Sequence, residues 1–229
     1  MPVSSRDVLS RLDHRVPPTV VASLESVRSQ APVVARPAAS VVLLRDHGTD
    51  GVTGLETYAL HRHSRMPFAA GMVVFPGGRV DPSDGVPDVD HGLGDPALLA
   101  CAVRETEEET GVRLDPADLR PWAHWITPEA EPRRYDTFFY LAALPAGQQA
   151  ADISGETSAA EWRSPQQLLS AADAGEIAML PPTRSILIEL AACSTVRQAL
   201  ASASDRIVET VVPVAVNGPE GWVFEYGRG

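Results

Sequence analysis

The segment Arg104-Glu105-Thr106-Glu107-Glu108-Glu109-Thr110-Gly111-Val112 carries the densest chemistry in the chain. On a helix, Glu105, Glu108 and Glu109 stand at i, i+3 and i+4 and present their carboxylates on one face. Like charges at that spacing repel, and Thr106 and Thr110 are weak helix formers. Acids near a helix C-terminus also oppose the macrodipole. Stability alone does not account for such a helix. A hard divalent cation does, because Mg²⁺ or Mn²⁺ takes oxygen ligands and keeps positions open for a phosphate. On charge alone, a solvated acidic face is the alternative reading.

The elements around this segment follow from composition and periodicity. Asp95-Pro96 opens the helix, with Asp as N-cap and Pro in the first turn, and Gly111 closes it after Thr110. Leu99, Val103, Thr106 and Thr110 are its expected buried stripe. Upstream, Ala38 to Arg45 reads as a buried strand and Glu56 to Arg62 as its neighbour, with a turn at His47 to Gly54. Met72 to Phe75 is a third short strand running into Pro76-Gly77-Gly78. Asp81 to Gly94, rich in Asp, Gly and Pro, is a loop. Further strands are expected at Trp122 to Ile126 and Tyr135 to Leu144, then helices from Pro165 and over Pro182 to Leu200. Arg206 to Val216 and Gly221 to Tyr226 read as a hairpin around Asn217-Gly218. The class is α/β with a mixed sheet. Residues 1–36 read as a partly helical appendage, with short helices at Ser5 to Leu12 and Val20 to Gln30, and residues 37–229 as the main domain.

Length and composition restrict the chemistry further. The chain has 229 residues, 44% hydrophobic and 21% charged, as expected of one large globular domain with additions. Its formal net charge is −11, and all 19 basic residues are Arg. The absence of Lys excludes a P-loop and a lysine Schiff base. An acidic chain is a poor wrapper of nucleic acid, which needs a cationic face, so no nucleic-acid partner is expected. Cys101 and Cys193 belong to no Cys-x-x-Cys pair and read as small core residues in a reducing compartment. No apolar run approaches the roughly 20 residues that span a bilayer. With no secretory signal pattern at the start, the expectation is a cytoplasmic protein without a membrane partner.

With these residues in view, the chain resembles the Nudix hydrolase family, whose signature is G-x5-E-x7-R-E-U-x-E-E-x-G-U with U apolar. Arg104, Glu105, Glu108, Glu109, Gly111 and Val112 match its second half, and Thr106 departs at an apolar position. Gly77-Gly78 after a strand matches the glycine entry. Gly78 lies 26 residues before Arg104 instead of 14, so the intervening loop is 12 residues longer. Eight residues before Arg104 stands Pro96 where the signature has Glu, and Asp95 is one residue out of register. The resemblance therefore leaves the role of that first Glu unassigned.

His61-x-x-Ser64-x-Met66-Pro67, Gly71-x-x-x-Phe75-Pro76-Gly77-Gly78-x-x-Asp81, Thr127-Pro128, Arg133-Arg134-Tyr135-Asp136-Thr137-x-Phe139 and Pro181-Pro182-Thr183 are similar to the coenzyme A diphosphatase-like branch. The resemblance spans about residues 37–200. It implies an α/β/α sandwich and a small-molecule substrate, a nucleoside diphosphate joined to another group such as coenzyme A or an acyl-coenzyme A. Glu105, Glu108 and Glu109 would hold Mg²⁺ or Mn²⁺, with Arg104 holding a helix carboxylate in place. Glu156, or Glu161, would serve as general base. Arg62 (or Arg65), Gly77, Gly78, Arg133 and Arg134 would meet the substrate phosphates, since guanidinium forks suit them. ADP-ribose or another nucleotide sugar is the alternative substrate, and a non-catalytic nucleotide-binding domain the alternative role. Relatives are often dimers, and the appendage offers an arm for a homodimer.

Other signals fail on context. Gly92-x-Gly94-x-x-Ala97 follows a polar loop, not the strand a dinucleotide fingerprint needs. Asp81-x-Ser83-x-Gly85 lacks the sixth-position Gly and twelfth-position Glu of a calcium loop. No Gly-x-Ser-x-Gly elbow exists. His61 and His63 alternate on a strand without a third soft ligand and read as surface residues, while Tyr135, Phe138 and Phe139 read as core.

Overall fold

The computed structural model describes residues 8–12, 14–16, 21, 33–49, 52–65, 69–219 and 221–228. Ten strands form one sheet: β1 (Arg36–Thr49), β2 (Val52–Arg62), β3 (Met72–Val74), β4 (Gly77–Arg79), β5 (Arg120–Ile126), β6 (Tyr135–Ala143), β7 (Thr157–Arg163), β8 (Ala178–Met179), β9 (Thr210–Gly218) and β10 (Gly221–Arg228). Four α-helices lie wholly within the described residues: α1 (Pro96–Thr110), α2 (Pro165–Asp173), α3 (Pro181–Leu190) and α4 (Val196–Ser204). The strand order is β10-β9-β5-β6-β1-β2-β3-β8, with β4 against β1 and β7 against β2. The β1–β6 pair is parallel and β1–β2 antiparallel, so the sheet is mixed as the sequence predicts.

Alternation along the apolar run of β1 builds two cores, one on each face. Ala39, Val41 and Leu43 join Tyr140 and Ala142 of β6 beneath Cys101 and Ala102 of α1. Val42 and Leu44 join Leu141 and the helical residues Leu168, Ile186, Leu187, Leu190 and Ala199 on the opposite face. This is the α/β/α sandwich. Neither face is wet, which is why the strand reads as continuous apolar residues.

The sheet parts where the chemistry will sit. The start of β1 pairs with β4 through Ala38, Ala39 and Ser40, whereas its end pairs with β2 from Leu44 to Thr49. Between them, Val41 N–H donates to Pro76 O at 2.8 Å. The turn into β4 is thereby held against the middle of β1.

Several boundaries differ from the sequence reading. The expected helix over Pro182 to Leu200 is two helices, because Thr195 starts a new one. Thr195 Oγ1 accepts from Gln198 N at 3.2 Å, and Gln198 Oε1 accepts from Ser194 N at 2.8 Å. Asn217-Gly218 is not the hairpin turn: both residues are paired, Asn217 with Trp222 and Gly218 with Gly221. On α1, Leu99 and Val103 are half-buried, and the buried positions are Ala97, Leu98, Cys101, Ala102, Thr106, Glu109 and Thr110. Small Cys101 and Ala102 let the helix settle closely on β1, which rolls Glu109 inward. Strands β4, β7 and β8 are short elements that periodicity does not announce. The appendage helices fall largely outside the described residues; of the first, Val8 and Leu12 are buried in the main core. No helix among the described residues is long and apolar enough to cross a membrane. Both cysteines are free and buried.

Candidate active site

The acidic helix starts and stops where the sequence sets it. Asp95 Oδ1 accepts from Ala97 N at 2.8 Å and Leu98 N at 3.1 Å, and Gly111 adopts φ 72° with its N–H on Glu107 O. Asp95 Oδ2 also accepts from Asp88 N at 2.7 Å, so the cap ties the long loop to the helix. Thr106 and Thr110 are buried and donate to the carbonyls of Ala102 and Thr106, at 2.7 and 2.6 Å. That back-bonding makes a hydroxyl acceptable where the signature has an apolar residue.

The glycine turn lies across this helix. Gly77 N–H donates to Glu109 Oε2 at 2.9 Å. A Cβ on Gly77 would lie 2.6 Å from Ser40 Cα, and a Cβ on Gly78 would overlap the Glu105 carboxylate. Both positions thus need Gly for close approach, the second directly against a carboxylate of the acidic face. Burial pushes the Glu109 carboxyl up to about 7, with the Gly77 hydrogen bond pulling the other way. Glu105 is also raised by burial, opposed by its hydrogen bond from Arg104.

Arg104 is the hub. Its Nε and Nη2 meet Asp84 Oδ1 and Oδ2 at 2.8 and 2.7 Å, a two-pronged pair. Its Nη1 meets Glu105 Oε1 at 2.8 Å and Glu108 Oε2 at 3.1 Å. The Asp84 side chain is only 3% exposed. Its carboxyl is held below the usual range, chiefly by the hydrogen bond from Arg104. Asp84, and neither Pro96 nor Asp95, is the acid that meets the signature arginine. It stands at G-x5-Asp after Gly78, the signature spacing counted forward from the glycine. The 12 extra residues therefore follow this acid, whereas counting back from Arg104 placed them before it. A forward count from Gly78 was the signal that sequence reasoning missed.

Glu105, Glu108, Glu109, Gly77, Gly78, Arg62 and Glu156 all line one cavity of about 990 Å³. Met72, Phe75, Thr127, Pro128, Tyr135, Thr137, Phe139, Pro181, Pro182 and Thr183, from segments similar to the coenzyme A branch, line the same cavity. Arg62 Nη2 reaches Glu156 Oε2 at 3.3 Å on the 154–156 loop, and its buried Nε has no hydrogen-bond partner among the described residues. The other expected site residues are placed elsewhere. Glu161 pairs with His61 at 2.9 Å and with Arg163, outside the lining. Arg133 and Arg134 are also outside it. Arg134 donates to Thr127 O at 2.9 Å and Val33 O at 2.8 Å, fastening the loop before β6. Arg65 is exposed and does not line the cavity.

The residues suit a hard cation in kind. Three carboxylates share one face, and the only guanidinium hydrogen-bonded to them, among the described residues, is already shared with Asp84. The Gly78 cradle keeps Glu105 free of side-chain crowding. Among the described residues no three such groups yet converge as a ligand set. Glu105 and the half-exposed Glu108 are both turned to Arg104, and Glu109 to the Gly77 amide. A cation held by all three carboxylates would need these side chains turned toward one another.

Comparison with known proteins agrees with this geometry. The family model described as NUDIX domain matches residues 34–183, about two thirds of the chain. The chain is similar to the crystal structure of a NUDIX hydrolase from Alicyclobacillus acidocaldarius, at 27% identity and TM-score 0.64, covering 77% of this chain and all of that one. It is 30% identical over 183 residues to a Caenorhabditis elegans protein bearing the name nudix hydrolase 7, spanning 64% of this chain and 57% of the relative. It is 29% identical over 113 residues to an acyl-coenzyme A diphosphatase of Gallus gallus, spanning 46% of this chain and 30% of the relative. The matches thus span little more than half of the first of these relatives and less than a third of the second. Because that family model covers well over half of it, the chain belongs to the Nudix family.

Proposed function

We propose that the chain is a metal-dependent diphosphatase that hydrolyses a nucleoside diphosphate joined to a second group, with coenzyme A or an acyl-coenzyme A as the substrate. The observation that carries this reading is that the acidic helix face, the Gly77-Gly78 turn and a long apolar wall open into a single cavity. At about 990 Å³ it is at the top of the usual range of ligand pockets, roughly 300–1,000 Å³, which gives room for a substrate with two sizeable halves. The similarity to an acyl-coenzyme A diphosphatase supports that substrate class over a nucleotide sugar.

Glu105, Glu108 and Glu109 would hold Mg²⁺ or Mn²⁺. Bound there, the cation would neutralise the diphosphate and make a water more acidic. Water attacks one phosphorus, the bridging P–O bond breaks, and the departing phosphate keeps the electron pair. We assign acceptance of the water proton to Glu156, which Arg62 holds at the cavity rim. Arg62 then offers its remaining N–H groups to a phosphate oxygen. Arg104, fixed by Asp84, keeps Glu105 in place against Gly78. The partner is a small molecule, consistent with a net charge of −11 that disfavours nucleic acid.

A panel of coenzyme A, an acyl-coenzyme A, ADP-ribose and NADH, with Mg²⁺ or Mn²⁺ and with chelator, tests the reading, with products identified by mass. Chelator-sensitive cleavage of the diphosphate bridge of a coenzyme A compound, releasing adenosine 3′,5′-bisphosphate and a 4′-phosphopantetheine, is expected. Cleavage of no diphosphate, or cleavage untouched by chelator, overturns it.

A further inference from the structure

The cavity has a wall that the family domain does not supply. Among its described lining residues, Arg15, Pro213, Phe224 and Tyr226 lie outside the matched residues 34–183. Three of these four are apolar or aromatic, and all three come from the β9–β10 hairpin. Pro213 pairs directly with Tyr226, and Phe224 stands two residues from Tyr226, so the three side chains share one face of the hairpin. Tyr226 meets Trp125 edge-on at 6.0 Å and Phe224 at 6.4 Å, which extends the aromatic surface onto β5. Leu180, Pro181, Pro182, Ile126 and Phe139 add further apolar lining.

The hairpin is held there from both edges. The β5–β9 ladder consists of two pairs, His124 with Thr210 and Trp125 with Val211. His124 reinforces it, meeting Thr210 Oγ1 at 2.8 Å through Nδ1 and Asp136 through Nε2. On its other edge, Phe224 N–H donates to His14 O at 2.6 Å, and Arg15 bridges Val223. These contacts hold the aromatic face toward the cavity.

We propose that the β9–β10 hairpin is the specificity wall of this site and receives an apolar group carried on the half of the substrate farther from the nucleoside. This inference rests on the diphosphatase reading, because the acidic helix must take the diphosphate for the tail to reach the wall. It adds the element and the residues, Tyr226 foremost, that select the tail. A polar-ended diphosphate gains nothing from the wall, whereas an aliphatic tail is removed from water by it.

The test compares coenzyme A with its octanoyl thioester, which differ only in the apolar end, and includes ADP-ribose as the polar-ended control. The wild type is expected to favour the thioester over free coenzyme A by about tenfold or more in kcat/KM. In Tyr226→Ala that ratio should fall toward one, while Tyr226→Phe, which keeps the ring, should retain it. A wild-type preference for free coenzyme A or ADP-ribose overturns the proposal, as does an unchanged ratio in a folded Tyr226→Ala. If no diphosphate is cleaved, the diphosphatase reading fails separately. Tryptophan-fluorescence titration with the same two coenzyme A compounds then decides the wall alone. A tail preference lost in Tyr226→Ala supports it, and equal affinity overturns it.

Discussion

Asp84 and Asp95 are two buried acids near the same helix, and replacing each in turn separates the arginine clamp from the helix cap. Asp84 holds Arg104 through two short hydrogen bonds and is almost wholly enclosed. Removing one partner of a buried ion pair costs on the order of 3–5 kcal/mol. Asp84→Asn keeps the shape and one acceptor oxygen, so the lower figure applies, about 3 kcal/mol. For a chain of 229 residues this lowers Tm by about 6–12 °C, at roughly 2–4 °C per kcal/mol. The functional effect follows from the released guanidinium. Arg104 is left with Glu105 and Glu108, the carboxylates a cation needs, so Mn²⁺ affinity should fall by about tenfold or more. Asp95→Ala removes a cap that accepts from Ala97 and Leu98, worth about 1 kcal/mol, and should leave Mn²⁺ affinity as it was. Urea unfolding in chelator and Mn²⁺ titration of both variants make the comparison. An Asp84→Asn protein as stable and as metal-competent as the wild type refutes the reasoning. So does an Asp95→Ala protein that loses metal to the same extent.

Gly78→Ala places a methyl against the Glu105 carboxylate, the movable end of a side chain. The protein should fold with nearly normal urea stability while kcat falls by about a hundredfold, the usual penalty for displacing a positioned group; full turnover contradicts this. Glu109 titrates at about 7 in the fold against its ordinary 4.5. Its contribution to metal-free stability is complete below pH 4.5 and is lost as the pH rises to about 7, by about 3 kcal/mol. Urea midpoints in chelator should decline over that window, and Glu109→Gln should flatten the decline; an equally steep decline in the variant would count against it. Burial pushes the Cys101 thiol up to about 12 and raises Cys193 as well. Ellman's reagent should therefore find no rapidly reacting thiol in native protein and both after denaturation; rapid native reaction would show that the core opens.

Much of the site was legible because its demands are local. The acid spacing, the Asp95 cap and the Gly111 stop depend on neighbours a few residues apart, and α1 formed within those limits. The apolar run of β1 likewise announced a strand covered on both faces. What stayed hidden depends on chain that is distant in sequence. Asp84 is readable by counting forward from Gly78, but a count back from Arg104 passes it by, because 12 extra residues lie between it and the arginine it meets. Arg134 reads as a phosphate fork, but its Nε and Nη1 meet the carbonyls of Thr127 and Val33, and it lies outside the cavity lining. β4, three residues of Gly-Gly-Arg, has no strand propensity of its own and is extended because β1 pairs with it. The break between α3 and α4 was readable from Thr195-x-x-Gln198, a capping signature inside an apolar stretch.

The central claim is that the Glu105, Glu108 and Glu109 face takes a divalent cation and that diphosphate hydrolysis depends on it. Parallel measurement of Mn²⁺ binding and diphosphate turnover in the wild type and in folded Glu109→Gln tests it most directly. The account predicts Mn²⁺ binding and turnover that saturate together in the wild type, and a loss of about a hundredfold or more in turnover, with weakened Mn²⁺ binding, in the variant. Full metal-dependent turnover in Glu109→Gln, or wild-type turnover indifferent to chelator, would contradict it.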